Sequence, residues 1–298
     1  MEVHVTLKPP HGESCELHLA DPEAVRAIVA AGPQKMYDDA LAACFQNAAF
    51  QGKLDMVQMM LSVPDMWTPS TQVANRALNR AAINAHLRCV EELMRTCPMI
   101  SPGGFTEALS FAVDRASSDF DLDDAKRIVA RLVQDGRADP VQVLMEYINE
   151  GEDNEDDGDD DDDSFKIVGY WAGVRVLLAP ESGWVPTVEV AEAALHAAAV
   201  VNNNKPCTET MLKLCPHITA QACSRVLDTV VQESCCAASR VEVVETLLED
   251  GRAVPSKQTL IAVAKRGACA EMRAFAPHFV TALTAEFAVP PVNPAVSL

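Results

Sequence analysis

Aromatic side chains are scarce in this 298-residue chain, at 5% of the total. Sandwiches and barrels draw on aromatic and β-branched residues to fill pleated surfaces, so the scarcity argues against an all-β fold. Hydrophobic residues nonetheless reach 49%, and alanine supplies much of that share. Alanine is the strongest helix former and lets helices approach closely. The expected fold class is all-α.

Basic residues are also short, 24 Lys and Arg against 43 Asp and Glu, for a net charge of −19. Nucleic acid is bound by cations that neutralise phosphates, and no basic stripe is present. That excludes nucleic acid and an anionic membrane surface as expected partners. No stretch approaches 18 apolar residues, so no membrane span is expected. Met1 to Pro10 alternates polar and apolar residues and lacks the apolar run of a signal peptide.

Chemical signatures are missing too. There is no Gly-rich phosphate loop, no His-Glu-x-x-His and no Gly-x-Ser-x-Gly, so no catalytic residue, cofactor or metal ligand is assigned. Sequence alone leaves a Cys–His pair assembled by folding open. Cysteine, in contrast, is plentiful. Cys207, Cys215, His217, Cys223, Cys235 and Cys236 crowd one region, but without the paired spacing of a zinc site. Several of the ten cysteines fall on apolar helix faces, where free cysteine acts as a small hydrophobe. Cys235-Cys236 falls in an inter-helix insertion, where one of the two could be exposed. Disulfides are not expected, and the compartment that fits is intracellular and reducing.

What the chain does contain is a repeat. Phe45 to Leu61 (FQNAAFQGKLDMVQMML) aligns without a gap on Leu78 to Met94 (LNRAAINAHLRCVEELM). The same opening recurs at Leu109, Leu144, Leu195, Leu227 and Leu260, at intervals of 33, 31, 35, 51, 32 and 33 residues. Each unit reads as two short amphipathic helices, the first Ala-rich, the second with Val and Leu at i, i+3, i+4 spacing. Gly136-Arg137-Ala138-Asp139-Pro140 and Gly251-Arg252-Ala253-Val254-Pro255 end second helices, glycine supplying the left-handed stop and proline refusing to continue. One pair cannot bury its own apolar face, so the units must stack.

The pattern resembles the ankyrin repeat. The matching residues are Leu195-His196-Ala197-Ala198-Ala199, Gly52 and Gly267 at the inter-helix glycine, His86 after it, and Val243-Val244 with Leu247-Leu248 in a second helix. The Asp-Gly-Arg-Ala-Asp-Pro form looks like a divergent type known from protists and large DNA viruses, and that resemblance implies a cytoplasmic protein, in the host cytoplasm if it is viral. No unit has the family's Thr-Pro opening, and the third, fifth and sixth units need insertions between their helices. A different helical-hairpin array is the structural alternative. His86 and His196 stand where the family uses histidine structurally. The resemblance implies a solenoid of about seven helix-turn-helix units over 21–285, with Asp21 to Ala31 as a leading half-repeat.

Residues 3–7 and 15–19 alternate in strand fashion, giving a short N-terminal hairpin or cap over 1–20. Residues 286–298 read as a disordered tail. The insert at 150–164 carries 11 acids between Glu150 and Asp163 and no base, and reads as a disordered loop. Asp153, Glu155, Asp157 and Gly158 mimic part of a calcium loop, but Ser164 stands where the bidentate glutamate belongs.

The resemblance implies a non-enzymatic, monomeric scaffold that binds a protein partner through its concave face and inter-repeat fingers. Face candidates are Gln46, Asn47, Asn79, Arg80, Ser110, Asp114 and Arg115. Finger candidates are Met66, Trp67, Arg137 and Trp184, since Trp and Arg favour interface hot spots. Two readings compete: a basic protein held by the acidic loop, and an enzyme built on a helical-repeat fold.

Overall fold

The structure, a computed structural model, describes residues 4–7, 15–18, 35–62, 67–118, 123–149, 164–233, 238–266 and 275. The expected helix from Asp21 to Ala31, the acidic insert up to Asp163, Met66, Gly267, Cys235, Cys236 and the tail lie outside them. The chain divides into two compact units, 1–144 with 175–185, and 145–174 with 186–298. The described residues are helical apart from one strand pair and the connections.

In the first unit, β1 (His4–Leu7) and β2 (Cys15–His18) pair antiparallel. Helices then follow in pairs: α1 (Lys35–Phe50) with α2 (Leu54–Leu61), α3 (Thr71–Ile83) with α4 (Leu87–Thr96), and α5 (Pro102–Ser118) with α6 (Asp123–Asp135). First helices pack on first helices, α1 on α3 and α3 on α5, while second helices form their own row, α2 on α4 and α4 on α6. Ala74, Ala77, Ala81 and Ala82 on α3, and Ala108, Ala112 and Ala116 on α5, have no exposed surface at all. Their small side chains allow that close approach, and the broader residues Val90, Leu93, Ile128 and Leu132 fill the second row.

The second unit repeats the plan. α7 (Pro140–Asn149) and α8 (Ser164–Leu178) each run across the division between units. They are followed by α9 (Val188–His196), which continues as a π-turn over Ala197–Val201, then α10 (Lys205–Leu214), α11 (Ala220–Glu233), α12 (Ala238–Glu249) and α13 (Lys257–Arg266). α9 packs on α11, α11 on α13, and α10 on α12. In the fourth pair a Cβ on Gly173 would come within 2.7 Å of the Tyr147 ring. Glycine there lets α7 and α8 close on each other.

The repeating apolar position is the spine of both units. Phe45, Leu78, Leu109, Leu144, Leu195 and Leu227 are completely buried, and Leu260 is 8% exposed. Seven residues beyond Phe45 and Leu78 the chain turns through a left-handed residue, Gly52 at φ 69° and Ala85 at φ 57°. In the fifth pair that residue is Asn203 at φ 45°, eight beyond Leu195. The π-turn absorbs the extra residue, the usual consequence of inserting one residue into a helix. The insertion expected between these helices is thus a widened turn of the first one.

Six first helices are opened by a side-chain cap. Ser70 accepts from Val73 N–H at 3.3 Å, Ser101 from Gly104 at 3.1 Å, and Asp139 from Val141 at 3.0 Å. Thr187 accepts from Val190 at 3.4 Å, Thr219 from Ala222 at 3.2 Å, and Ser256 from Thr259 at 3.2 Å. Each satisfies an orphan donor of the first turn. The caps stand four to eight residues ahead of the buried Leu, in stretches that the repeat pattern assigns to fingers.

Candidate interaction site

The face candidates separate into two groups. Asn47 on α1 and Arg80 on α3 occupy equivalent positions 33 residues apart, and the Arg80 guanidinium donates to Asn47 Oδ1 at 3.1 Å at the surface. Asp114 is exposed, and Ser110 and Arg115 are half-buried. Gln46 and Asn79 correct the expectation of exposure, since only 9% and 8% of each is accessible. The small alanines beside them draw the neighbouring helices in, so the position after the buried Phe or Leu is covered. Asn79 Oδ1 has no hydrogen-bond partner among the described residues.

The finger candidates are held by their own chain. Trp67 is half-buried and meets Phe45 edge-on, with centroids 5.4 Å apart and planes at 68°. Trp184 is half-buried, its backbone N–H donating to Ser182 Oγ at 3.1 Å.

Arg137 is engaged most of all. Its guanidinium donates to both oxygens of Asp135, at 2.5 and 3.0 Å, and to the Met94 carbonyl at 3.2 Å. It also lies 3.8 Å from the centroid of the Phe105 ring. Met94 lies in the last turn of α4, so a cation rests on a C-terminal carbonyl of the preceding second helix. The bond to Arg137 holds the Asp135 carboxyl below its ordinary range, and Asp135 in turn raises the Arg137 guanidinium.

Arg252 repeats this clasp in the second unit. It donates to Asp250 at 2.7 and 2.9 Å, and to the carbonyls of Leu212, Cys215 at 3.2 Å and Ile218 at 3.3 Å. Gly136 and Gly251 both sit at φ 79°, with nothing near a would-be Cβ. Glycine is required there for the backbone, not for room. In sequence, Asp-Gly-Arg reads as a helix stop and Arg137 as a partner contact; the repeated motif is the available signal for the clasp.

A second set of inter-repeat contacts links first helices. Asn75 donates to Ser101 Oγ at 2.8 Å and accepts its N–H at 3.1 Å, and Thr106 Oγ accepts from Asp139 N–H at 2.9 Å. Glu192 accepts from the Thr219 hydroxyl at 2.6 Å, and Ser224 Oγ accepts from Val254 N–H at 2.9 Å. Asn75, Thr106, Glu192 and Ser224 all stand three residues before the buried Leu of their helix. Each binds the finger that follows.

His86 sits at the turn between α3 and α4. Its Nε2 lies 2.9 Å from the Phe50 carbonyl oxygen, and a Cβ on Gly52 would meet its ring at 2.7 Å. Cys44, Cys89, Cys97, Cys207, Cys215 and Cys223 are free thiols and buried. Burial pushes Cys44, Cys89 and Cys215 up to about 11 and Cys207 up to about 12. Among the described residues of the helical pairs, no three His, Cys, Asp or Glu side chains gather into a metal-holding cluster. No described helix is long and apolar enough to cross a membrane.

Open depressions lie along the second helices. One of about 530 Å³ is lined by His86, Arg88, Glu91, Asp124 and Arg127 among others. Another of about 440 Å³ includes Glu91, Arg95, Arg131 and Asp135. Both mix charges of either sign, and Glu91 and Arg131 pair at 3.0 Å. No family model, curated protein or solved structure matches this chain.

Proposed function

We propose that the helix pairs form an ankyrin-like solenoid, and that the protein is a non-enzymatic cytoplasmic scaffold. In this reading it binds a protein partner through the first-helix face and the adjoining fingers. The observation that carries this is the recurrence of one construction. The same buried apolar residue returns in every pair. An N-cap opens six of the first helices, and finger contacts and left-handed turns recur among them, which is how a stack of units builds an extended surface. The exposed part of that surface includes Arg80 and Asp114, with Asn47, Ser110 and Arg115 beside them in the same helices. Trp67, Arg137 and Trp184 act in this reading as supports that fix the fingers.

The test is affinity capture with three chains side by side: the full protein, an Arg80→Glu/Asp114→Lys variant, and a chain lacking 150–163. Binding through the face is lost in the surface variant and kept by the deletion. The reverse result, with steep weakening by salt, sinks the scaffold reading and favours capture of a basic protein by the acidic segment.

A further inference from the structure

Few large apolar side chains are exposed among the described residues, and three of them share one place in the repeat. Phe50 is 48% exposed, Ile83 41% and Val201 52%. Each stands two residues before the left-handed residue of its turn, Gly52, Ala85 and Asn203. The fold does not require an apolar residue there. Asp114 on α5, Gln232 on α11 and Lys265 on α13 stand five residues beyond the repeating apolar position, as Phe50 and Ile83 do, and all three are polar and exposed. Phe50 and Ile83 fall on neighbouring helices, since α1 packs on α3. The surface beside them is cationic. Arg76, Arg80 and Ile83 follow at i, i+4 and i+7 on α3 and are all exposed, which makes them one stripe. Arg80 donates to Asn47 on α1, and neither arginine forms an ion pair with a described residue. The acids of α1, Asp38 and Asp39, lie in its first turn, about 12 Å along the axis from Asn47. Glu107 and Asp114 on α5 are exposed and bound the patch on its other side.

We propose that this patch on α1 and α3 docks an amphipathic helix of a protein partner, one with two apolar residues seven positions apart and acidic residues beside them. The inference rests on the first-helix face being the binding surface. Neighbouring helix axes lie about 8–10 Å apart, and seven residues of helix advance about 10.5 Å. A helix crossing α1 and α3 therefore sets its residues i and i+7 over Phe50 and Ile83. A residue three or four positions from either lies on the same side, and an Asp or Glu there meets Arg80. The apolar anchors supply most of the affinity, and the two arginines set the sign of charge that is accepted.

The experiment pans a displayed library of amphipathic helical peptides, varied at both apolar and charged positions, against the full chain. Enriched peptides are then measured by fluorescence anisotropy. They carry an apolar pair at i and i+7, with Asp or Glu three or four residues from one of the two. Phe50→Ser and Ile83→Ser each weaken the best peptide about tenfold or more. Arg80→Gln weakens it and flattens its dependence on salt. Helical circular dichroism stays at the parent level in all three variants. The proposal is overturned if no peptide is enriched, if the enriched peptides are basic, or if they bind Phe50→Ser and Ile83→Ser as tightly as the parent. Peptides of that last kind that still fail on the Arg80→Glu/Asp114→Lys variant remove this partner and leave the scaffold reading standing. Peptides indifferent to every one of these variants remove both.

Discussion

The Arg137 guanidinium donates to the Met94 carbonyl oxygen across 43 residues of sequence, at 3.2 Å. It ties the end of one second helix to the finger after the next. Arg252 does the same with more partners and is the less exposed, at 23% of its side chain against 34%. Charged hydrogen bonds contribute about 1.5–3 kcal/mol when partly buried, and screening trims the more exposed Arg137. Arg252→Ala is expected to cost about 3 kcal/mol and Arg137→Ala about 1–2 kcal/mol in urea unfolding. Lysine cannot reproduce the fork on Asp250, so Arg252→Lys recovers less than half of the loss. An Arg252→Ala chain as stable as the parent would refute the clasp.

The clasp also has a pH signature. Asp135 is held below its ordinary range by Arg137, so its folded value lies under its unfolded one. Its contribution is complete above the unfolded value, about pH 4, and is lost as the pH falls through the folded value. Asp135→Asn is expected to be less stable than the parent at neutral pH, with the difference closing under acid. Unfolding curves taken across that range check it; a constant difference at every pH contradicts the assignment.

Left-handed turns offer a comparison of three positions. Ala85 is a non-glycine residue at φ 57°, a conformation that costs roughly 1–2 kcal/mol for a residue with a Cβ. Ala85→Gly is therefore expected to stabilise by several tenths to about 1 kcal/mol, after the added freedom of the unfolded chain is subtracted. Gly136→Ala carries the backbone cost alone, since nothing lies near its Cβ position. Gly52→Ala carries the same cost and a clash with the His86 ring, so it is the more damaging of the two. Thermal midpoints in the order Ala85→Gly, parent, Gly136→Ala, Gly52→Ala test the whole series.

The repeat is legible because one apolar residue in about thirty-three, followed by Ala-Ala, marks a position that must be buried. Phe45, Leu78 and Leu195 are where that logic places them. The helix starts are harder to read. Ser70, Thr187 and Thr219 cap their helices eight residues ahead of the buried Leu, without the Thr-Pro that would mark them in sequence. Gln46 and Asn79 read as exposed because they are polar, yet tight Ala packing covers them. Arg137 is accessible in part and charged, which is also how a partner contact looks in sequence. Only the carbonyl of Met94, brought near by stacking, distinguishes the two roles.

The cap contacts make a further prediction, about coupling. Ser101 caps α5 and is itself held by Asn75 on α3 through two hydrogen bonds. Removing a Ser cap costs about 1 kcal/mol in general, and removing Asn75 leaves the Ser101 N–H without its partner. Ser101→Ala and Asn75→Ala are each expected to cost about 1–2 kcal/mol. Because each breaks the same pair, the double variant loses less than the sum, by about 0.5 kcal/mol or more. Strict additivity would mean that the two residues act separately.

The buried thiols give the last test. Cys44, Cys89 and Cys215 are pushed from 9.0 up to about 11, and Cys207 to about 12, with desolvation the leading cause in each. The thiolate is the reactive form, and a thiol raised this far holds roughly a hundredfold less of it near pH 8, before access is considered. Alkylation mapped site by site by mass spectrometry should label these four far more slowly in the native chain than in denaturant. Cys215 should lag less than Cys207, because the Arg252 guanidinium partly offsets its desolvation. In Arg252→Ala that aid disappears, but the loosened clasp admits reagent, so Cys215 is expected to label faster while Cys44 in the other unit keeps its parent rate. Equal acceleration at both sites would mean global unfolding in place of a local clasp.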